Sequence, residues 1–285
     1  MKALIVGSGG QLGRALAAVA PAGAQVIGHD RAALDIGDAA AVDAAVAAAR
    51  PDLLFNAAAY TAVDKAESEE AEALRINGTA VAVLAGAARR HGAQLVHVST
   101  DFVFDGRSGV PYAPDAPTAP LGAYGRTKLA GEQAAGADAL IVRTAWVYGA
   151  SGGNFVRTML RLMRERDEVR VVADQIGTPT RVDGLAAALW ALGGQGVRGT
   201  FQYTDSGVAS WYDFAVAIQE EALAIGLLDR AVPVIPIPTT DFPTPARRPA
   251  FSVLDKQSSW DRLGWQAPHW RVALRTTLKE LSEHG

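Results

Sequence analysis

Five short aliphatic runs, at 3–6, 25–28, 53–55, 94–98 and 140–142, punctuate the first 150 residues. Each is too short for a helix and largely apolar on both faces, as a strand covered on both sides must be. The stretches between them, 11–20, 39–49, 69–91 and 125–135, are rich in alanine and read as helices. In the first, Leu12, Leu16 and Val19 recur at spacings of four and three, which puts them on one face. Strands alternating with helices, and joined by right-handed crossovers, give an α/β fold with a doubly wound parallel sheet of the Rossmann type.

The rhythm loosens past residue 150. Helices are predicted at 154–165, 183–192, 210–223 and 270–283, and strands at 169–172, 199–203 and 232–236. Prolines cluster between 233 and 249, and there is neither an internal repeat nor a flexible linker. A chain of 285 residues with 49% apolar content can bury one large core or two closely joined ones. The formal charge of −3 leaves no basic footprint, so nucleic acid is not an expected partner. Cysteine is absent, which excludes disulfides, thiolate catalysis and Cys-ligated zinc. The N-terminal apolar run is too short for a signal peptide, and no run of about 18 apolar residues exists to span a membrane. A cytoplasmic protein is expected.

Glycines 7, 10 and 13 stand between the first strand and the first helix in a G-x-x-G-x-x-G spacing. Such a turn lets backbone approach a pyrophosphate, while the helix N-terminus offers free N–H groups. Asp30 follows the second strand, where a carboxylate accepts hydrogen bonds from an adenosine ribose or caps a turn. Arg31 beside it suits a 2′-phosphate, so NADPH and NADH both stay open. Asp35 and Ile36 are placed against an adenine. The small residues of Asn56-Ala57-Ala58-Ala59-Tyr60-Thr61 let a dinucleotide lie on the backbone, or simply pack tightly. On this basis residues 1–150 are read as an NAD(P)-binding domain, and 151–285 as a mainly substrate-binding part interleaved with it.

The fourth strand ends in Ser99-Thr100-Asp101, and ligands sit at such carboxyl ends. Tyr124 and Lys128 are four apart at the start of a helix and point the same way. A ketone that accepts hydride develops charge on oxygen and needs a proton. Tyr124 is the candidate donor, its phenol lowered from an ordinary pKa near 10 by the ammonium and a nicotinamide charge. Lys128 would also hold the nicotinamide ribose. Thr100 would bond the substrate oxygen and Tyr124. Asn77 is either a water anchor in the proton path or a plain helix residue. Only five of the 27 basic residues are Lys, which makes a lysine at 128 stand out.

Together these residues resemble the extended short-chain dehydrogenase/reductases. The strings GSGGQLG at 7–13, NAAAYTAVDKAE at 56–67, STDFVFDG at 99–106, YGRTKLAGE at 124–132, RTAWVYG at 143–149, DQIGTPT at 174–180 and RRPAFSVLD at 247–255 resemble one branch, the dTDP-4-dehydrorhamnose reductases. The resemblance implies reduction of the 4-keto group of dTDP-4-dehydro-L-rhamnose to dTDP-L-rhamnose, a polysaccharide precursor. It implies cofactor contacts from Gly10, Gln11, Leu12, Asp30, Asp35, Ile36, Ala59, Tyr60 and Thr61. It makes Thr100 the residue that adjusts Tyr124, sets Asp101 at the sugar, and has Trp146 line the sugar pocket. Some relatives hold magnesium between subunits through a glutamate in the first helix. Here Arg14-Ala15 stand there, so no metal is assigned and a homodimer is left open. Related dehydratases carry an Asp-Glu pair after the threonine, whereas Asp101 is followed by Phe102.

His97 is read as a satisfied buried histidine, and His29, His91, His269 and His284 are too scattered to ligate a metal. Trp260, Trp265 and Trp270 are read as packing. Arg247 and Arg248 are candidates for a substrate diphosphate or for a solvated loop. Two other readings remain: a reductase or epimerase of another dTDP-keto-deoxysugar, and a non-catalytic nucleotide-binding regulatory subunit.

Overall fold

A computed structural model describes residues 1–283; His284 lies outside the described residues. Six strands, β1 (Lys2–Val6), β2 (Gln25–His29), β3 (Leu53–Asn56), β4 (Gln94–Thr100), β5 (Leu140–Thr144) and β6 (Gly199–Gln202), form one sheet. Their order is β6-β5-β4-β3-β1-β2, and every pairing is parallel. The longer helices are α1 (Gln11–Ala18), α2 (Ala39–Ala49), α3 (Ala80–His91), α4 (Ala123–Ala135), α5 (Phe155–Glu165), α6 (Val182–Gly194), α7 (Trp211–Ala224) and α8 (Trp270–Glu283). The doubly wound α/β class read from the sequence is the one observed. No helix among the described residues is long and apolar enough to cross a membrane.

The strand pattern explains the layering. Ala3 and Ile5 of β1 pack with Leu16 of α1 and Leu185 and Leu189 of α6, while Leu4 and Val6 pack with Val42, Val46, Val81 and Leu84 of α2 and α3. All of these residues are fully buried. Each buried Leu, Ile or Val contributes about 1.5–3 kcal/mol over exposure, so both sheet faces resist any slip of register.

The single helix expected at 69–91 is interrupted. A helical turn at Glu70–Leu74 passes into a π turn at Arg75–Thr79 before α3. The cause is tertiary. Asn77, 1% exposed, accepts from the Tyr60 amide (2.8 Å), and its Nδ2 donates to the Tyr60 carbonyl (3.1 Å) and Thr127 Oγ1 (3.2 Å). Such an inserted residue is typical of functional sites. The flanking alanines fit either helix face, so periodicity does not register it.

Beyond Tyr148, α5, α7 and α8 build a second core around Val156, Met159, Phe214, Ile218 and Leu274. A strand at Val169–Val172 pairs in parallel with one at Val234–Ile237, where the sequence placed it at 232–236. Pro236 is tolerated there because a two-stranded ladder leaves each strand an open edge. Yet α6 and β6 return to the main sheet, with β6 pairing β5 from Gly199↔Leu140 to Gln202↔Arg143.

Candidate active site

The order of winding reverses between the parallel strands β1 and β3, and a groove of about 630 Å³ opens beyond their carboxyl ends. Gly7 takes φ +78°, and a Cβ there would lie 2.6 Å from the Ala58 nitrogen. A Cβ on Gly13 would strike the Gly7 carbonyl. Only glycine allows this turn. Gly10, which lines the groove, caps α1 without a side-chain acceptor, so no cap side chain takes up the first N–H groups of the helix.

Gly7, Gly10, Asp30, Asp35, Ile36, Ala57, Ala59, Tyr60 and Thr61 line the groove, together with Arg31 at the Asp30 end. Five predicted cofactor contacts do not line it: Tyr124 and Lys128, which stand at the end of β4, and the three residues that open α1. Gln11 Oε1 accepts from Asn154 Nδ2 (3.3 Å), Leu12 packs into the core, and Gly13 is buried, so only their backbone can serve a ligand. Oδ1 of Asp30 accepts from the amides of Ala32 (3.0 Å) and Ala33 (2.9 Å), so it does cap a turn, and these bonds leave Oδ2 unused. Asp35 is held below its usual range by the Gly37 amide and then by Arg75. Arg75, which also grips Glu72 (2.8 Å), is a wall residue the sequence reading missed.

The end of β4 lies beside β3, whose outgoing residues line the groove. Thr100 Oγ1 donates to Asp101 Oδ1 (3.0 Å) and accepts from the Phe102 amide (3.2 Å). Burial pushes Asp101 up to about 6, against the pull of the Ser252 and Thr100 hydroxyls. Tyr124, the second residue of α4, stands edge-on to Phe102 at 5.5 Å. Burial pushes its phenol up to about 12; the Thr100 hydroxyl lowers it and the Asp101 charge raises it.

Lys128 is 3% exposed, and burial pushes it down to about 8 against the charge of Glu132. Its Nζ donates to the Val98 carbonyl at 2.6 Å. This corrects the expectation that the ammonium lowers Tyr124. The groups acting on the phenol are its burial, Thr100 and Asp101, because the lysine is tethered to the backbone of β4. Two of its three N–H donors stay available for a ribose.

Two carboxylates absent from the sequence reading hold α4. Glu67 Oε1 accepts from the Ala123 amide (2.8 Å) at the helix start. Glu132 forms a two-pronged pair with Arg143 of β5 (2.8 and 2.7 Å), each side chain 6% exposed. Arg143 also donates to the Pro114 carbonyl (2.9 Å) and lies over the Phe104 ring.

Trp146 follows β5 two residues after Thr144, which pairs with Thr100. Its φ of +49° is left-handed, a conformation that costs a bulky residue about 1–3 kcal/mol. Its indole stacks on Trp211 at 3.5 Å and 7°. Behind Trp211 lies a second cavity of about 820 Å³, with apolar walls including Phe155, Met159, Val171 and Phe242. Arg248 reaches this cavity but is committed to Asp64 (2.8 and 3.0 Å), whereas Arg247 is exposed.

The residues set aside behave as packing. His97 Nδ1 meets Asn56 Nδ2 at 3.0 Å, and burial keeps the ring neutral, although Nε2 finds no protein partner among the described residues. Trp270 is buried, Trp260 lies under Lys256, and Trp265 meets Tyr203 edge-on.

The model of the RmlD substrate binding domain family matches residues 1–283. A dTDP-4-dehydrorhamnose reductase of Burkholderia thailandensis is 44% identical over 295 residues, covering 99% of both chains. A probable dTDP-4,6-dihydroxy-2-methyloxan-3-one 4-ketoreductase of Streptomyces antibioticus is 45% identical over 300 residues, covering 100% of this chain and 97% of that one. Among solved structures, a dTDP-4-dehydrorhamnose reductase from Bacillus anthracis in complex with NADP superposes with a TM-score of 0.92 at 36% identity, over 98% of this chain and 99% of that one.

Proposed function

The chain belongs to the dTDP-4-dehydrorhamnose reductase family, within the RmlD substrate binding domain family, and from that premise we propose that it reduces the 4-keto group of dTDP-4-dehydro-L-rhamnose to give dTDP-L-rhamnose. The observation that carries this reading is the setting of α4 against the end of β4, where Tyr124 meets Thr100 and Lys128 is held by the Val98 carbonyl, next to the β3 end whose outgoing residues 57–60 line the groove. NADPH or NADH suits the groove: the pyrophosphate on the free amides of α1, a ribose on the second oxygen of Asp30, and Arg31 near a 2′-phosphate. When bound, it supplies the hydride to C4.

The residues of this chain handle the proton. Thr100 turns its hydroxyl proton from Asp101 to the ketone oxygen, and Tyr124 gives its proton to that oxygen as charge develops on it. A phenol held high by burial stays protonated until that moment, which suits a donor. Lys128 holds the nicotinamide ribose with its remaining donors. Asp101 accepts from a sugar hydroxyl, and Trp146 walls the sugar. The second cavity takes the nucleotide end, its apolar walls against the base. Residues 1–150 thus bind mainly the cofactor, and 151–285 mainly the substrate.

The test is NADPH oxidation by purified protein with dTDP-4-keto-6-deoxy sugar and its 3,5-epimerase. Tyr124→Phe should lower kcat by about 10²–10⁴ while cofactor binding persists. Retained turnover would refute the donor role. The likeness to the Streptomyces ketoreductase favours a second reading, reduction of another dTDP-keto-deoxysugar. A faster rate on such a sugar in the same assay would select it.

A further inference from the structure

Trp146 is held in a vise whose two jaws belong to one piece of structure. On one face lies Trp211, parallel to within 7°. On the other lies Gly177, so close that an added Cβ would sit 2.7 Å from the indole Cε2. The jaws sit on a single antiparallel ladder that pairs Ala209 with Gly177 and Ser210 with Ile176. Trp211 follows directly as the first residue of α7, fixed by a reciprocal cap in which Ser210 Oγ accepts from the Asp213 amide (3.0 Å) and Asp213 accepts from the Ser210 amide (2.8 Å). The Trp146 carbonyl is itself pinned by the Thr180 amide (3.1 Å). A left-handed tryptophan persists only where its surroundings over-determine it, and these contacts do so.

Trp211 also lines the second cavity, against Phe155 at 4.7 Å. One ring therefore touches both the cavity and the indole beside the reacting end of the sheet. Resting on the reading of that cavity as the nucleotide subsite, we infer that Trp211 is a positioning residue: it holds Trp146, and through it the sugar, so that binding at the nucleotide end sets the ketone in place for reduction. Remote binding spent on orientation shows in kcat, not in KM alone.

Variants on either side of the indole separate this role from plain nucleotide binding. Trp211→Ala removes one jaw. Gly177→Ala closes the other without touching the second cavity, and Gly177 has no left-handed φ to forbid alanine. Two stacked indoles give an exciton couplet in circular dichroism, which reports the Trp146 position directly. Gly177→Ala should perturb the couplet and lower kcat about tenfold or more, with inhibition by free dTDP and NADPH affinity within about twofold of wild type. Trp211→Ala should abolish the couplet and lower kcat similarly, and Trp211→Phe should restore most of the rate, since a phenyl ring rebuilds the jaw. A perturbed couplet with wild-type kcat in Gly177→Ala would overturn the proposal. So would a loss in Trp211→Ala confined to KM and dTDP inhibition. A wild-type protein that reduces no keto sugar would instead overturn the functional reading on which the proposal rests.

Discussion

Replacing Glu132 by Gln should expose how much of the catalytic helix depends on a single buried ion pair. Both side chains of the Glu132–Arg143 pair are 6% exposed, and both carboxylate oxygens are bonded. Removing one partner strands the other charge in the interior, a loss of about 3–5 kcal/mol. Each kcal/mol shifts the melting temperature of a chain this large by about 2 °C, so a fall of about 6–10 °C is expected. Removing both charges together, as Glu132→Leu with Arg143→Met, should recover most of it, because well-packed apolar replacements of a buried pair are close to neutral. A second readout comes from Lys128, one turn earlier on α4, whose protonated form the Glu132 charge favours. Without that charge the lysine should lose its proton at lower pH, and the alkaline limb of kcat/KM should move the same way. Calorimetry of the three variants and one pH–rate series suffice. Glu132→Gln melting within about 2 °C of wild type, or a double variant no more stable than the single ones, would refute the reasoning.

Three further outcomes follow from the site. The pH–rate profile should have an acid limb near 6 from Asp101 and an alkaline limb near 8 from Lys128, since the lysine serves the ribose as an ammonium; Asp101→Asn should erase only the acid limb. The same lysine shapes stability: its folded pKa lies below the ordinary one, so the unfolded chain binds more protons between about 8 and 10.5, and stability on this account rises across that window. Asn77→Ala should cost about 1–3 kcal/mol by stranding the Tyr60 amide and carbonyl, and calorimetric titration should show weaker NADPH binding. Unchanged affinity would deny the π turn any role in shaping the groove.

Features that depend on neighbouring residues were legible in the sequence. The turn at Gly7, Gly10 and Gly13 shows there because its steric demand is local, and Tyr124 and Lys128 show because helix geometry brings residues four apart together. What stayed hidden acts across long separations. Glu67 meets Ala123 over 56 residues, and Asp64 meets Arg248 over 184. Trp211 looked like an unremarkable helix start, because its partner Trp146 lies on a different element and only the fold stacks them. Residue type singled out Lys128, yet it could not say that the ammonium is tethered to Val98.

The return of the chain to pair β6 with β5 has a consequence for its synthesis. β5 is complete at Thr144, but its outer neighbour ends only at Gln202. At about 5–20 residues per second, the ribosome needs roughly 3–12 s to supply that neighbour. During that interval β5 presents a bare apolar edge, the kind of template that recruits other chains. A nascent chain paused in this stretch should be the form most dependent on chaperones, and a fragment that stops at 150 should aggregate whatever the quality of its dinucleotide groove.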